Sequence, residues 1–134
     1  SDGARRLVTD VVLDASAVLA LLQREPGSDA VSARLRGAAI SAVNLSEVIA
    51  KLAEAGMPEA EIRLAVGTLG LDVHPVDDAA AHVAGLLRPR TKSLGLSLGD
   101  RACLALGLTL SRPVMTTERA WKRLKLDVDV VLAR

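Results

Sequence analysis

Short apolar runs alternate with helix-length amphipathic segments along almost the whole chain, and this alternation restricts the fold more than any other feature. The segments LVTDVVL (7–13), AAIS (38–41), LDVHPV (71–76), RPVMTT (112–117) and DVDVVLA (127–133) have the length and apolar character of strands. Between them, SAVLALLQRE, SDAVSARLRG, VNLSEVIAKLAEAG, PEAEIRLAVGTLG, DDAAAHVAGLLRPR and LGDRACLALGLTL carry apolar residues at helical spacing. Their boundaries are marked by Pro26-Gly27, Gly37, Gly56, Pro58 and Pro89. A last short helix is expected over ERAWKRLK, and a loop over TKSLGLS. The strand runs read as buried on both faces, which predicts an α/β domain: a mostly parallel, five-stranded sheet between two layers of helices. No repeat or linker divides the chain, so residues 1–134 are expected to form one domain, with residues 1–6 outside the fold argument.

In an open parallel sheet, ligands bind beyond the carboxyl ends of the strands. Four carboxylates fall at such junctions. Asp14 ends the first strand in VVLDAS, and Glu47 lies one turn into the helix after AAIS. Asp100 opens the helix of LSLGDRACLAL, and Glu118 follows PVMTT. Each has an ordinary role open to it. Asp14 caps a helix with help from Ser16, Asn44 to Glu47 and Ser97 to Asp100 have capping-box spacing, and Glu118 answers a helix dipole. Taken together, four acids at one end of a sheet repel and raise one another's pKa, a conflict that a divalent cation relieves. Hard Mg²⁺ or Mn²⁺ prefers such oxygen ligands.

Other chemistries lack their parts. No phosphate-binding glycine loop, dinucleotide fingerprint or nucleophile elbow occurs, and neither His74 nor His82 has a metal-ligand spacing. Cys103 is the only cysteine, so no internal disulfide or cysteine-based zinc cluster forms; its apolar neighbours predict a buried thiol. Trp121 is the only aromatic residue, which removes stacking platforms for single-stranded nucleic acid. With 17 basic and 16 acidic residues, bulk charge neither attracts nor repels a polyanion. No apolar run reaches the roughly 20 residues of a membrane span. SDGARRLVTD has no apolar core of a signal peptide, so a cytoplasmic protein is expected.

Four segments, VVLDASAVLALL, ISAVNLSEV, LSLGDRACLAL and PVMTTERAW, occur in the order and at about the spacing of PIN-domain proteins, and the chain most resembles VapC-type toxins of bacterial toxin–antitoxin pairs. The resemblance covers nearly the whole chain after its first residues. It implies a PIN-like three-layer α/β/α sandwich and a Mg²⁺- or Mn²⁺-dependent endoribonuclease. The family's first three acids map to Asp14, Glu47 and Asp100. Its fourth acid, usually aspartate in a T-x-D-R-A-W-like stretch, corresponds to Glu118, one methylene longer. The implied chemistry is in-line attack by an activated water that leaves a 3′-hydroxyl and a 5′-phosphate, with no histidine needed.

Ser16 and Thr116 are hydroxyls beside the expected site, placed to bind phosphate or ordered water. Arg101 and Arg119 each follow one of the acids. Arg88, Arg90 and Lys92, with Lys122, Arg123 and Lys125, add basic charge near them for phosphate contacts that position RNA without reading its sequence. The resemblance also implies a transfer or ribosomal RNA substrate, a homodimer and a cognate VapB-type antitoxin. Two other classes stay open on residues alone: a PIN-like module that binds RNA or a partner without useful catalysis, and a metal-dependent phosphatase or DNA nuclease.

Overall fold

A computed structural model describes residues 10–134. Its five strands are β1 (Val12–Leu13), β2 (Ala39–Ser41), β3 (Asp72–His74), β4 (Val114–Thr116) and β5 (Val130–Leu132). Seven helices connect them: α1 (Ala15–Leu22), α2 (Ser28–Ala33), α3 (Ala42–Glu54), α4 (Glu59–Gly67), α5 (Asp78–Leu86), α6 (Arg88–Thr91) and α7 (Leu98–Leu110). Two 3₁₀ turns, Lys92–Leu94 and Arg119–Arg123, complete the order. Residues 7–9 of the expected first strand, like residues 1–6, lie outside the described residues.

All strand pairs are parallel, in the order β3-β2-β1-β4-β5. The chain builds outward from β1 through β2 to β3, then crosses back and continues from β4 to β5. The point where the direction reverses lies between β1 and β4, whose register pairs Val12 with Val114 and Leu13 with Met115. Side chains alternate across the sheet as the pleat requires. Val11, Leu13, Ile40 and Met115 enter one core with α1 to α4, while Val12, Ala39 and Val114 enter the other with α5, α7 and Trp121. This is the three-layer α/β/α sandwich expected from the alternating runs.

Burial on both faces holds for β1, β2 and β4, which are buried throughout. It does not hold for the edges. Asp72 and Val73 of β3 are exposed, and β5 is only half-buried, because each has a neighbour on one side alone. Pro89 sits in the first turn of α6, where its missing N–H would have had no helical partner; α5 has already stopped at Leu86. The expected ERAWKRLK helix is a single 3₁₀ stretch of five residues, and the TKSLGLS loop contains the other. Among the described residues, no helix is long and apolar enough to cross a membrane.

Gly107 sets how closely α7 approaches the sheet. A Cβ there would lie 2.6 Å from Val114 Cγ1, inside any real contact distance, and a tight 3.1 Å from Val128 Cγ2. Gly85 in α5 is the contrasting case, with open space around its own Cβ position. Gly107→Ala should therefore cost about 1–3 kcal/mol through overpacking. Gly85→Ala should be neutral or gain up to about 1 kcal/mol. Urea-unfolding midpoints check both, and a midpoint for Gly107→Ala at or above wild type would contradict the close packing.

Candidate functional site

β1 delivers Asp14 to the switch point, where burial and hydrogen bonding fix its carboxylate. Asp14 is 4% exposed. It caps α1 by accepting from the Ala17 N–H at 2.9 Å, and Ser16 Oγ donates to it at 2.8 Å. From the neighbouring strand, Thr116 Oγ1 donates to Oδ2 at 2.6 Å. Thr116 Oγ1 in turn accepts from the Glu118 N–H, and Ser16 Oγ accepts from the Thr117 N–H, both at 3.0 Å. The ends of β1 and β4 are thus joined by side chains as well as by strand pairing. The capping reading and the site reading of Asp14 and Ser16 are compatible, since one carboxylate serves both.

Glu47 comes from α3 and Asp100 from the first turn of α7. Ser41, the last residue of β2, caps α3 by accepting from the Val43 N–H. The strand therefore passes into the helix with no loop, and Asn44 lies inside the helix rather than at its cap. Its amide nitrogen donates to Glu47 Oε1 at 2.9 Å. The expected Asn44–Glu47 capping box is replaced by a side-chain pair within the helix. The Ser97–Asp100 capping box does form: Asp100 Oδ2 accepts from the Ser97 N–H, and Ser97 Oγ accepts from the Asp100 N–H. Glu118 precedes the second 3₁₀ turn, is exposed, and makes no side-chain cap.

All four acids line one cleft of about 420 Å³ at the carboxyl end of the sheet. Ser16, Asn44, Leu94 to Leu96, Ala120 and Trp121 line it as well. Thr116 lies just beneath, fully buried. Each of Asp14, Glu47 and Asp100 is engaged by a donor of its own. Among the described residues, no three Asp, Glu, His or Cys side chains form a group poised to hold one metal ion as the side chains stand.

The basic residues are placed differently from the acids. Arg101 turns away, with Nη1 donating to the Ala84 carbonyl of α5 at 3.1 Å. Arg119 is exposed and does not line the cleft, although both of its sequence neighbours do. His74 pairs with Asp72 at 2.8 Å on the edge strand, and His82 stands 3.8 Å from Asp78; neither lines the cleft. Cys103 is fully buried and free. Burial and the nearby charges of Asp14, Asp100 and Glu47 push its thiol pKa up, so it is a packed, protonated thiol.

Two lining residues with a part in shaping the cleft, Asn44 and Trp121, and Gly99 packed behind Glu47 were not singled out as site residues from the sequence. Asn44 was hidden by a helix start placed too late. Gly99, whose Cβ position is filled by the Glu47 carboxyl group, read only as part of the segment LSLGD. Trp121, 2% exposed, is both a cleft wall and a core residue, and the motif ERAW gave no sign of the first role.

Burial raises the Asp14 pKa to about 6. Its hydrogen bonds to Thr116, Ala17 and Ser16 act the other way, and the Asp100 charge adds to the rise. The folded chain therefore holds the Asp14 proton more tightly than the unfolded chain does. In ion-free protein this group's contribution is most favourable below about pH 4 and declines as pH rises to about 6, by on the order of 3 kcal/mol. Asp14→Asn should accordingly melt about 5 °C or more above wild type at pH 7.5 in a chelator, with the gap closing near pH 4. Thermal melts across that range check the sign; a variant less stable than wild type at pH 7.5 would refute it.

A family model described as the PIN domain matches residues 11–126. No protein of curated function matches the chain. Solved structures of the same fold include a toxin–antitoxin complex from Klebsiella pneumoniae, with a TM-score of 0.76 and 20% identity, covering 93% of this chain and 98% of that one. DNA-bound VapBC from Salmonella typhimurium gives 0.74 and 18%, with the same two coverages. VapBC-5 from Mycobacterium tuberculosis gives 0.58 and 24%, covering 94% and 98%. With most of its length matched by that model, the chain belongs to the PIN-domain family.

Proposed function

We propose that the chain is a VapC-type toxin: an endoribonuclease dependent on Mg²⁺ or Mn²⁺ and neutralised by a cognate antitoxin. The observation that carries this reading is the meeting of Asp14, Glu47, Asp100 and Glu118 in one cleft, although they come from four separate segments of a PIN domain. The donor set fits a hard divalent cation. The carboxylates and the Ser16 hydroxyl that line the cleft all offer oxygen, the donor such a cation prefers. Asp14, Glu47 and Asp100 would hold the ion, with Glu118 reaching it from the exposed rim. When bound, such an ion supplies Lewis-acid chemistry, easing deprotonation of water and polarising the scissile phosphate.

The chain's own residues supply the rest. Ser16 and Thr116 donate to the Asp14 carboxylate and fix its orientation at the cleft. RNA would approach from the side of the cleft walled by residues 94–96 and by Glu118, Ala120 and Trp121. Arg88, Arg90 and Lys92 precede the first of these segments; Lys122, Arg123 and Lys125 follow the second, and all six are exposed. The Arg90 guanidinium donates to the Lys125 carbonyl, and Arg88 to the Leu96 carbonyl, so the two basic segments form one surface. Arg119 is exposed beside Glu118, while Arg101 ties α7 to α5 through the Ala84 carbonyl. Transfer or ribosomal RNA, homodimerisation and a VapB-type antitoxin are the partners that this reading assigns. For the antitoxin alone, support comes from the toxin–antitoxin complexes among the structural relatives. An apolar groove between α3 and α4, lined by Leu45, Ile49, Met57, Ile62 and Val66, suits an antitoxin segment.

A PIN module that binds RNA or a partner without cutting is the second reading, favoured by the locally satisfied, unconverged carboxylates. An RNA-cleavage assay with and without Mn²⁺ separates the two. Cleavage should require Mn²⁺ and fall at least about 100-fold in Asp14→Asn and Asp100→Asn. Variants that cut as fast as wild type would sink the metal-site reading. Glu118→Ala should weaken Mn²⁺ binding less than Asp14→Ala or Asp100→Ala does. An equal or larger loss would make the longer side chain a full ligand.

A further inference from the structure

Asn44 is an amide placed where a helix gains little from one. It lies within α3, is 1% exposed, and takes no part in capping. Its side-chain nitrogen spends both hydrogens: one on Glu47 Oε1 and one on the Gly99 carbonyl, each at 2.9 Å. Its oxygen is buried with no partner among the described residues. Such a half-satisfied buried amide is costly to keep.

Its position explains what is gained. Val48 and Leu52 of α3 belong to the core on one face of the sheet, and Cys103 to Ala105 of α7 belong to the core on the other. Asn44 therefore bonds across the carboxyl end of the sheet, linking helices from opposite layers through the cleft. Gly99 supplies the matching half. A Cβ there would stand 2.6 Å from Glu47 Oε1 and 2.7 Å from Cδ, and closer still to Oε2. The Glu47 carboxylate is seated against bare backbone in the first turn of α7, with an amide holding one oxygen.

We propose that Asn44 and Gly99 are positioning residues for Glu47, which set its carboxylate for cation binding by a donated hydrogen bond and by the absence of a side chain. The inference rests on the reading of the cleft as a divalent-cation site. Asn44 touches Glu47 and the Gly99 backbone, and acts on a bound ion through Glu47.

The lone aromatic residue offers a direct probe, because Trp121 lines the same cleft. Tb³⁺, an oxygen-seeking cation, should show luminescence sensitised by Trp121 when it binds the full chain, with Mn²⁺ competing. Asn44→Ala and Gly99→Ala should each weaken Tb³⁺ binding about 10-fold or more. In a Glu47→Gln background the same substitutions should change it less than about twofold, since the group they position no longer serves as an anionic ligand. Equal losses in both backgrounds would show that these residues act on the fold, not on Glu47, and would overturn the proposal. So would variants that bind as tightly as wild type. If Asn44→Ala does not fold, Gly99→Ala carries the same cycle. A wild-type chain that binds neither Tb³⁺ nor Mn²⁺ would refute the cation-site reading, and this inference with it.

Discussion

Parallel pairing of β1 with β4 is the constraint on which the rest of the molecule depends. It points both carboxyl ends the same way, at the place where the strand order reverses. Asp14 and Thr116 then meet side by side, 102 positions apart in the chain, and their 2.6 Å hydrogen bond closes the junction. Every other member of the cleft is placed relative to this point: Glu47 by the loopless passage from β2 into α3, Asp100 by the capped start of α7, and Glu118 by the turn after β4.

The same arrangement sets a conflict between stability and chemistry. Burying Asp14 disfavours its charge, and three hydrogen bonds only partly offset the cost, which leaves its pKa near 6. A buried, half-satisfied Asn44 adds a second unfavourable group in the same cleft. Apolar residues of similar size would pack with less penalty at either position. Local costs concentrated in one cleft, with well-packed cores on both sides of the sheet, are the pattern expected when a site is kept for function.

Hydrogen bonding also divides the charged residues into those that face the cleft and those that hold it in shape. Arg101 is the clearest case. It is adjacent to Asp100 in the chain, but successive helical residues point about 100° apart, and its guanidinium goes to the Ala84 carbonyl on α5. Arg88 acts on the carbonyl of Leu96 in the cleft wall in a similar way, and Arg90 on that of Lys125 beyond it. Adjacency in sequence thus says little about shared function on a helix.

By itself, the sequence determined the layer architecture and the set of acids. Runs such as VVL and AAIS are too short and too apolar for anything but buried strands, and acids at the ends of parallel strands have one end of the sheet to share. It could not separate central strands from edges, because exposure of Asp72 and Val73 follows from having a single neighbour in the sheet. Nor could it distinguish a cap from a ligand holder at Asn44, since the observed cap is Ser41, three residues earlier, which puts that amide inside the helix. Only the tertiary structure brought Gly99 against Glu47 and Thr116 against Asp14. Those contacts depend on how helices from two layers approach over the end of a sheet, a distance set by packing that no local pattern of residues encodes.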